Sequence, residues 1–196
     1  MKKIVSLIFI IIVSFNNNLF ADKNQKIKRI SEGDKDAKIT MITYESLTCG
    51  HCADFHKNVY PNLKKDFIDK GLLKIEFRHF PLDLLAFNAS KIGQCKNDGK
   101  SEVLHSLFSG QKKWAKGKTP EEGSAYLKKF LNDEDIKVDF EECLNNKTIE
   151  DFVLNDRVEG AKKFKVNATP TIIINDKKFE NALNYKNLKK YLEKLI

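Results

Sequence analysis

Two cysteines separated by two residues, Cys49 and Cys52, are the side chains of this sequence best suited to chemistry. They follow a stretch rich in β-branched residues and precede a stretch with helical spacing, so a helix is expected to begin at Cys49. Unpaired backbone N–H groups and the helix dipole favour a thiolate there. A thiolate exchanges readily with disulfides, and Cys52 can close a bridge with Cys49. Gly50 and His51 complete the motif, and a protonated His51 would add positive charge near the sulfur.

Other uses of a C-x-x-C motif fit this sequence less well. A zinc site normally needs a second cysteine pair or a histidine pair at matching spacing, and the sequence has neither. A c-type haem needs histidine directly after the second cysteine, where this chain has Ala53. A structural disulfide that closes so short a loop would stabilise little. The motif therefore predicts redox chemistry at Cys49 and Cys52, with no metal and no bound cofactor.

The start of the chain has the pattern of a secretory signal peptide. In residues 1–21 a lysine pair precedes an apolar run, and cleavage is expected after Ala21. The run is too short to span a bilayer comfortably, so an uncleaved anchor is the less favoured alternative. Residues 22–36 are charged and are interpreted as a flexible lead-in, followed by one domain over residues 37–196. We expect an exported, periplasmic protein.

Export changes the expectation for the other two cysteines, because an oxidising compartment allows stable disulfides. Cys95 and Cys143 both fall in stretches with helical spacing. We expect them to form a structural disulfide, for which the chain-entropy relation gives roughly 3 to 4 kcal/mol as an upper figure. Two buried free thiols are the alternative.

Composition indicates an ordinary globular domain and argues against nucleic acid as a partner. The chain has 196 residues, 41% of them hydrophobic, which is enough for a sizeable core. Its formal charge of +8 is carried almost entirely by lysine, with arginine only at Arg29, Arg78 and Arg157. Recognition of phosphates and base edges relies most on arginine, so a solvated lysine surface is the preferred interpretation.

The first half of the domain predicts a strand, a helix and a second strand. β-Branched residues over 38–43 indicate a strand, and the helix after the cysteines should kink near Pro61. Apolar and charged residues alternate over 73–78, which is typical of a half-buried strand. A strand, a helix and a strand in this order form a βαβ unit with parallel pairing.

The second half predicts a helical block and then a return to strands. Residues 81–146 contain apolar stripes at helical spacing and no convincing strand, and a further helix is expected over 148–164. The apolar run 171–174 predicts a central strand. An edge strand at 178–180 and then an amphipathic helix are expected after it. The fold class is therefore α/β with an inserted helical subdomain.

Two features of the sequence resemble those of the thioredoxin superfamily. The first is the motif Cys49-Gly50-His51-Cys52 at the start of a kinked helix, and the second is Thr169-Pro170 before a later strand. The inserted helical block resembles that of the DsbA-type thiol:disulfide interchange proteins, over residues 37–196. The resemblance implies a thioredoxin fold and a cis Thr169–Pro170 bond whose backbone pairs with an extended substrate. An ordinary trans proline at the strand entry is the alternative.

Several residues depart from the family pattern or stand outside it. DsbA-type oxidases often carry proline where this chain has Gly50, and the Gly-His pair is similar to that of eukaryotic protein disulfide isomerases. Thr43 occupies the position of the buried acid of thioredoxins. Glu45 is the nearest carboxylate and could substitute for that acid, but a solvated loop glutamate is the preferred interpretation. The remaining histidines are interpreted as surface or core residues without a catalytic role; they are His56, His79 and His105.

The resemblance implies an oxidoreductase that introduces disulfides into folding proteins. Its substrates would be reduced or misfolded secreted proteins, and a membrane partner would reoxidise it. No dimerisation segment is visible, so a monomer is expected. An isomerase or reductase that acts from the reduced state, and a non-catalytic thioredoxin-like chaperone, are the alternatives.

Overall fold

The computed structural model of the protein describes residues 26–196, and the expected signal peptide lies outside this part of the chain. Its strands are β1 (Ile30–Glu32), β2 (Ile39–Glu45), β3 (Leu73–His79), β4 (Thr171–Ile174) and β5 (Lys177–Lys178). They form one mixed sheet in the order β1-β3-β2-β4-β5. β2 and β4 consist almost entirely of buried residues, as expected for strands covered on both faces, whereas buried and partly exposed residues alternate along β3 as predicted.

Helices cover the sheet and form a separate block beside it. They are α1 (Gly50–Asn58), α2 (Tyr60–Leu63), α3 (Leu84–Gln94), α4 (Glu102–Ser109), α5 (Gln111–Trp114), α6 (Pro120–Asp133), α7 (Phe140–Asn145), α8 (Lys147–Phe164) and α9 (Tyr185–Leu192). No helix of the described residues has the length and apolar character needed to cross a membrane.

The central pairing follows the predicted βαβ unit. β2 and β3 run parallel over seven residues, from Ile39 opposite Leu73 to Glu45 opposite His79. The helix between them is interrupted near the expected position, because α1 ends at Asn58 and α2 carries Pro61 in its first turn. A proline there lacks the N–H that would continue the helix. The chain then passes through a π-helical segment over Lys64–Ile68 before it enters β3.

The expected lead-in over residues 22–36 is not wholly flexible. β1 lies within it and pairs antiparallel with β3, with Ile30 opposite Phe77. Ile30 is buried, and the neighbouring Arg29 forms an ion pair with Asp156 of α8 at 2.5 Å. The strand satisfies the backbone groups along the open edge of β3. A three-residue strand among charged residues is too short to show an alternating pattern in the sequence.

The other edge of the sheet also differs slightly from expectation. β4 pairs antiparallel with β2, and the edge strand β5 covers Lys177–Lys178, not residues 178–180. One further backbone hydrogen bond, from the N–H of Phe179 to the carbonyl of Ile172, continues the ladder at 2.9 Å. β4 begins directly after Pro170 and pairs with β2, the strand that leads to the cysteines. Pro170 therefore lies near them.

The helical block between β3 and α8 is the predicted insertion, formed by α3 to α7. Its buried residues join those of the sheet in one hydrophobic core, in which Trp114 and Leu107 are fully buried. The Trp114 indole N–H donates to the carbonyl of Leu107 at 2.8 Å, so its polar atom is satisfied inside this core. The helical block therefore packs against α1 through this shared core.

Candidate active site

Cys49 lies where the sequence predicts it, at the junction of a strand-following loop and a helix. It is the N-cap residue of α1, with extended backbone angles, and its side chain makes no capping hydrogen bond. Its carbonyl accepts the backbone N–H groups of Cys52 at 3.1 Å and Ala53 at 3.2 Å. Its sulfur therefore faces the first turn of the helix, and both Cys49 and Cys52 are thiols in the structure.

The Cys49 thiol is strongly acidic in this environment. A hydrogen bond from Cys52 is the largest cause, partial burial opposes it, and the Thr169 side chain and the backbone N–H groups of Cys52 and His51 add to it. Together they lower the pKa of Cys49 from 9.0 to about 5. His51 thus contributes through its backbone, whereas the sequence interpretation invoked its imidazole. Cys49 is a thiolate at neutral pH.

Cys52 has the opposite character. It is fully buried, and burial is the largest cause that raises the pKa of its thiol far above the usual range. The hydrogen bond to Cys49 and the negative charge of Glu45 raise the pKa further. The site therefore pairs one partly exposed thiolate with one buried thiol, so the nucleophile of the pair is Cys49.

The loop before β4 brings Thr169 and Pro170 to the cysteines. The Thr169–Pro170 peptide bond is cis, and the Cys49 thiol donates to the carbonyl of Thr169 at 3.3 Å. The Thr169 hydroxyl is buried without a hydrogen-bond partner among the described residues, and the Thr169 side chain is one of the groups that lower the pKa of Cys49. Thr169 can therefore accept a hydrogen bond from the thiol and donate one to the thiolate.

An open cleft borders this loop. It has a volume of about 470 Å³, and His51, Phe55, Thr169, Pro170 and Leu183 are among its lining residues. The cleft thus joins the motif, the cis-proline loop and the segment before α9. It lies next to the sulfur of Cys49, because Thr169, whose carbonyl oxygen is 3.3 Å from that sulfur, is one of its lining residues.

Gln111 of α5 ties the helical block to the motif, a role that the sequence did not reveal. Its amide nitrogen donates to the carbonyl of Leu47 at 2.8 Å and to that of Cys49 at 3.0 Å. Both carbonyls belong to the loop that leads into α1, so Gln111 fixes the backbone on which the reactive sulfur sits. A buried glutamine without a motif around it gives no signal in the sequence.

Glu45 is a buried residue, and its interpretation as a solvated loop glutamate is wrong. It ends β2, is 4% exposed, and its Oε2 lies 2.9 Å from Nε2 of His56. Thr43, at the position that the family reserves for an acid, is also buried but has an unpartnered hydroxyl. The carboxylate is therefore displaced by two residues along the same strand, to the end that meets α1.

Cys95 and Cys143 form a disulfide between the end of α3 and α7, with their Cα atoms 5.5 Å apart. The bridge lies inside the helical block and closes a long segment. Among residues 26–196 the structure contains no cluster of histidine, cysteine, aspartate and glutamate that could hold a metal ion.

Comparisons with known proteins agree with this arrangement. A family model described as thioredoxin matches residues 25–194. The crystal structure of alpha-DsbA1 from Wolbachia pipientis is 31% identical, with a TM-score of 0.75 over 85% of this chain and 90% of that one. BdbD from Bacillus subtilis is 26% identical, with a TM-score of 0.67 over 85% of this chain and 92% of that one.

Curated relatives give the same class. Disulfide bond formation protein D of Bacillus subtilis is 27% identical over 83% of this chain and 74% of its own length. A Rickettsia bellii protein that carries the name protein-disulfide oxidoreductase is 28% identical over 76% of this chain. This chain spans only 58% of that relative's length.

The fold and the cysteine site define a thioredoxin-type protein, so the predicted α/β thioredoxin fold is confirmed. This chain belongs to the thioredoxin superfamily and, within it, to the DsbA-type thiol:disulfide interchange proteins.

Proposed function

We propose that this protein is a thiol:disulfide oxidoreductase that introduces disulfides into folding proteins through Cys49 and Cys52. The observation that carries the proposal is the contrast between the two sulfurs. The pKa of Cys49 is lowered to about 5, whereas burial raises that of Cys52 far above its usual range. A stabilised Cys49 thiolate favours the reduced enzyme, and an enzyme with a stable reduced form oxidises its partners.

The reaction begins with the Cys49–Cys52 disulfide. A substrate thiolate attacks Sγ of Cys49, the bond between the two enzyme sulfurs breaks, and its electron pair passes to Sγ of Cys52, which takes up a proton. A second substrate thiolate then attacks the substrate sulfur of the mixed disulfide. A substrate disulfide forms and Cys49 leaves as a thiolate, so two electrons have passed from substrate to enzyme.

The cleft beside the cis-proline loop is the proposed substrate site. An extended segment can pair with the backbone of Thr169 and Pro170 while its thiol reaches Cys49. Because backbone pairing requires no particular side chain, such a site suits many unfolded proteins. Reduced or misfolded secreted proteins are therefore the proposed substrates, and Gly50 and His51 complete the motif that presents Cys49.

We further propose that the protein acts in the periplasm as a monomer. The pattern of residues 1–21 supports export, and stable disulfides belong to such a compartment. Reduced enzyme must lose two electrons before the next cycle, and a membrane redox partner is the proposed acceptor. Neither nucleic acid nor a bound cofactor enters this scheme.

A reduction potential measured against glutathione tests the direction of the reaction. An oxidase should have a potential nearer that of DsbA, about −120 mV, than that of thioredoxin, about −270 mV. It should also form disulfides in a reduced, unfolded protein with two cysteines. A potential near that of thioredoxin would favour the isomerase or reductase alternative, for which the Gly50-His51 pair is the supporting feature.

The same assay separates an enzyme from a chaperone. A Cys49→Ser variant should lose disulfide formation, while a protein that only binds unfolded chains would retain its effect in this variant. Cys52→Ser is instead given a substrate that already contains a disulfide: its Cys49 thiolate should attack that bond, release one substrate sulfur as a thiolate and remain in a mixed disulfide with the other. A substrate oxidised equally well by both variants would contradict the proposed function.

A further inference from the structure

A continuous chain of hydrogen bonds runs from Glu45 inside the protein to Glu32 near its surface. Oε2 of Glu45 lies 2.9 Å from Nε2 of His56, and Nδ1 of His56 lies 2.9 Å from Nδ1 of His105. Nε2 of His105 lies 2.8 Å from Oε1 of Glu32. The four residues come from β2, α1, α4 and β1, so the fold assembles the chain from distant parts of the sequence.

The number of protons in this chain follows from its geometry. Each of the three contacts is a hydrogen bond, so each needs one proton. Two neutral imidazoles bring two protons, and ionised carboxylates bring none. The chain therefore holds one proton more than neutral histidines and ionised glutamates would supply. That proton can sit on Glu45 or on either imidazole, and shifting protons across successive hydrogen bonds moves it between His105 and Glu45.

The inner end of the chain lies beside the buried thiol. The backbone N–H of Ser46, the residue after Glu45, faces the sulfur of Cys52, and the charge of Glu45 acts on the same thiol. Oε1 of Glu45 is buried and has no hydrogen-bond partner within residues 26–196. This oxygen is the one of the Glu45 carboxylate that His56 does not occupy.

The outer end of the chain reaches solvent. The side chain of His105 is 25% exposed, and it lines a cleft of about 690 Å³ between α1 and α4. Glu32 also accepts hydrogen bonds from Tyr60 at 2.6 Å and Ser101 at 2.5 Å. Burial alone would raise the pKa of Glu32, but the bonds from His105, Ser101 and Tyr60 outweigh it and lower the pKa to about 2. The outer carboxylate therefore stays ionised and keeps accepting from His105.

Disulfide exchange requires a proton at Cys52. When the bond between Cys49 and Cys52 breaks, Cys52 leaves as a thiolate in a site that strongly disfavours its charge, so it must gain a proton. When the bond reforms, Cys52 must lose one. Cys52 is fully buried, and water does not reach it directly.

We propose that His56 and His105 conduct protons between the solvent-facing cleft and Glu45, and so supply and remove the proton of Cys52. During reduction of the enzyme, Glu45 gives a proton to the Cys52 thiolate, His56 reprotonates Glu45, and His105 reprotonates His56 and takes a proton from water. During reoxidation the same transfers run in reverse. This inference rests on the proposed function and adds two proton-transfer residues to it.

A purely structural role is the competing explanation for both histidines. His56 stacks on Phe108, with ring centroids 4.0 Å apart, and packs edge-on against Phe55. Other charged or titratable groups facing the chain and its cleft are Asp54, Lys57, Tyr60, Lys64 and Lys112. A test must therefore separate proton transfer from packing and from the general electrostatic field.

The test compares His105→Ala with Ser109→Ala in the full chain. Ser109 lies on the same helix and lines the same cleft, but its hydroxyl bonds only the carbonyl of Ser106, at 3.0 Å. The rate of reduction of the oxidised enzyme is measured at dithiothreitol concentrations where it no longer rises with the reductant. We expect His105→Ala to be slower than wild type by about tenfold or more, with an unchanged reduction potential, and Ser109→Ala to match wild type.

Added imidazole provides the discriminating readout. The space vacated in His105→Ala opens on the cleft, so imidazole should restore the rate as its concentration rises, with no effect on wild type or Ser109→Ala. A wild-type rate in His105→Ala would overturn the proposal. A slow variant with a shifted potential, or without rescue, would assign His105 a structural role and overturn it as well.

His105→Gln provides a second test in case the alanine variant does not fold. Glutamine can bond both neighbours but does not pass a proton between them, so this variant should also be slow at an unchanged potential. A wild-type rate in His105→Gln would contradict the proposal. If wild-type protein itself exchanges no disulfides, the proposed function fails; if wild type exchanges and both histidine variants keep its rate, only the proton path fails.

Discussion

The sulfur of Cys49 lies 3.3 Å from the carbonyl oxygen of Thr169, a residue 120 positions further along the chain. This contact joins the start of α1 to the loop before β4, and it places one residue where it can respond to both states of the sulfur. The Thr169 carbonyl accepts from the thiol, and the Thr169 hydroxyl stabilises the thiolate. The acidity of Cys49 can therefore be tested either by changing Thr169 or by titrating Cys49 itself.

Replacing the hydroxyl of Thr169 should make Cys49 less acidic. Thr169→Val keeps the shape of the side chain and removes its donor, and hydrogen bonds to charged groups contribute about 1.5 to 3 kcal/mol. The pKa of Cys49 should therefore rise by about 1 to 2. Thr169→Ser retains the hydroxyl and is the matched control, so its Cys49 should titrate near that of wild type. Alkylation rates across a pH series measure both, and an equal shift in the two variants would rule out this role of the hydroxyl.

The reduced protein should gain stability with rising pH relative to the oxidised protein. The pKa of Cys49 is depressed in the fold, so its contribution is fully present above the pKa of a free thiol and is lost as pH falls toward 5. At pH 7 it is on the order of 2 kcal/mol, and less to the extent that solvent screens the partly exposed sulfur.

Urea unfolding of both redox forms between pH 5 and 8 measures this difference. The oxidised form lacks an ionisable Cys49, so the gap between the two forms should widen steadily with pH. A reduced Cys49→Ala variant is the control and should lose the pH dependence. A gap that stays constant over this range would show that Cys49 titrates alike in the folded and unfolded chains.

The disulfide between Cys95 and Cys143 should contribute to stability without affecting exchange. It closes a segment with a sequence separation of 48, for which the chain-entropy relation gives roughly 3 to 4 kcal/mol. Replacing both cysteines with alanine should lower the urea midpoint accordingly and leave the reduction potential of Cys49 and Cys52 unchanged. An unchanged midpoint would favour the alternative of two free thiols.

Gly110 should tolerate no side chain, because α4 and α5 meet at this residue beside Phe130. A Cβ atom at Gly110 would lie 2.2 Å from two ring carbons of Phe130. Overpacking of this kind costs about 1 to 3 kcal/mol, so Gly110→Ala should unfold at lower urea concentration. Gly50→Ala is the control, since a Cβ atom there meets nothing within 4 Å. Equal stability of the two variants would mean that Phe130 moves aside freely.

Features carried by local sequence could be predicted. The C-x-x-C motif between a strand pattern and a helical pattern located Cys49 at the start of α1, and alternating residues located β3. The interruption at Pro61 follows from the chemistry of proline itself. In each case the signal lies within a few residues, where the periodicity of a strand or helix is visible.

Features that depend on distant contacts could not be predicted. Glu45 is buried because α1 covers the end of β2, and His56 meets His105 across 49 residues. The position of His56, four residues after Cys52 on the same helix, was the one available sign that it faces inward. Gln111 and the short strand β1 likewise acquire their roles only when the helical block and the sheet come together.

Direct titration of the Cys49 thiolate tests the central claim. Thiolate absorbance near 240 nm is followed from pH 3 to pH 10 in reduced protein, with Cys49→Ser as the blank. We predict a midpoint near pH 5, since the surroundings of Cys49 lower its pKa to about 5. A midpoint near 8.5, the value of an unperturbed cysteine, would contradict the proposed chemistry.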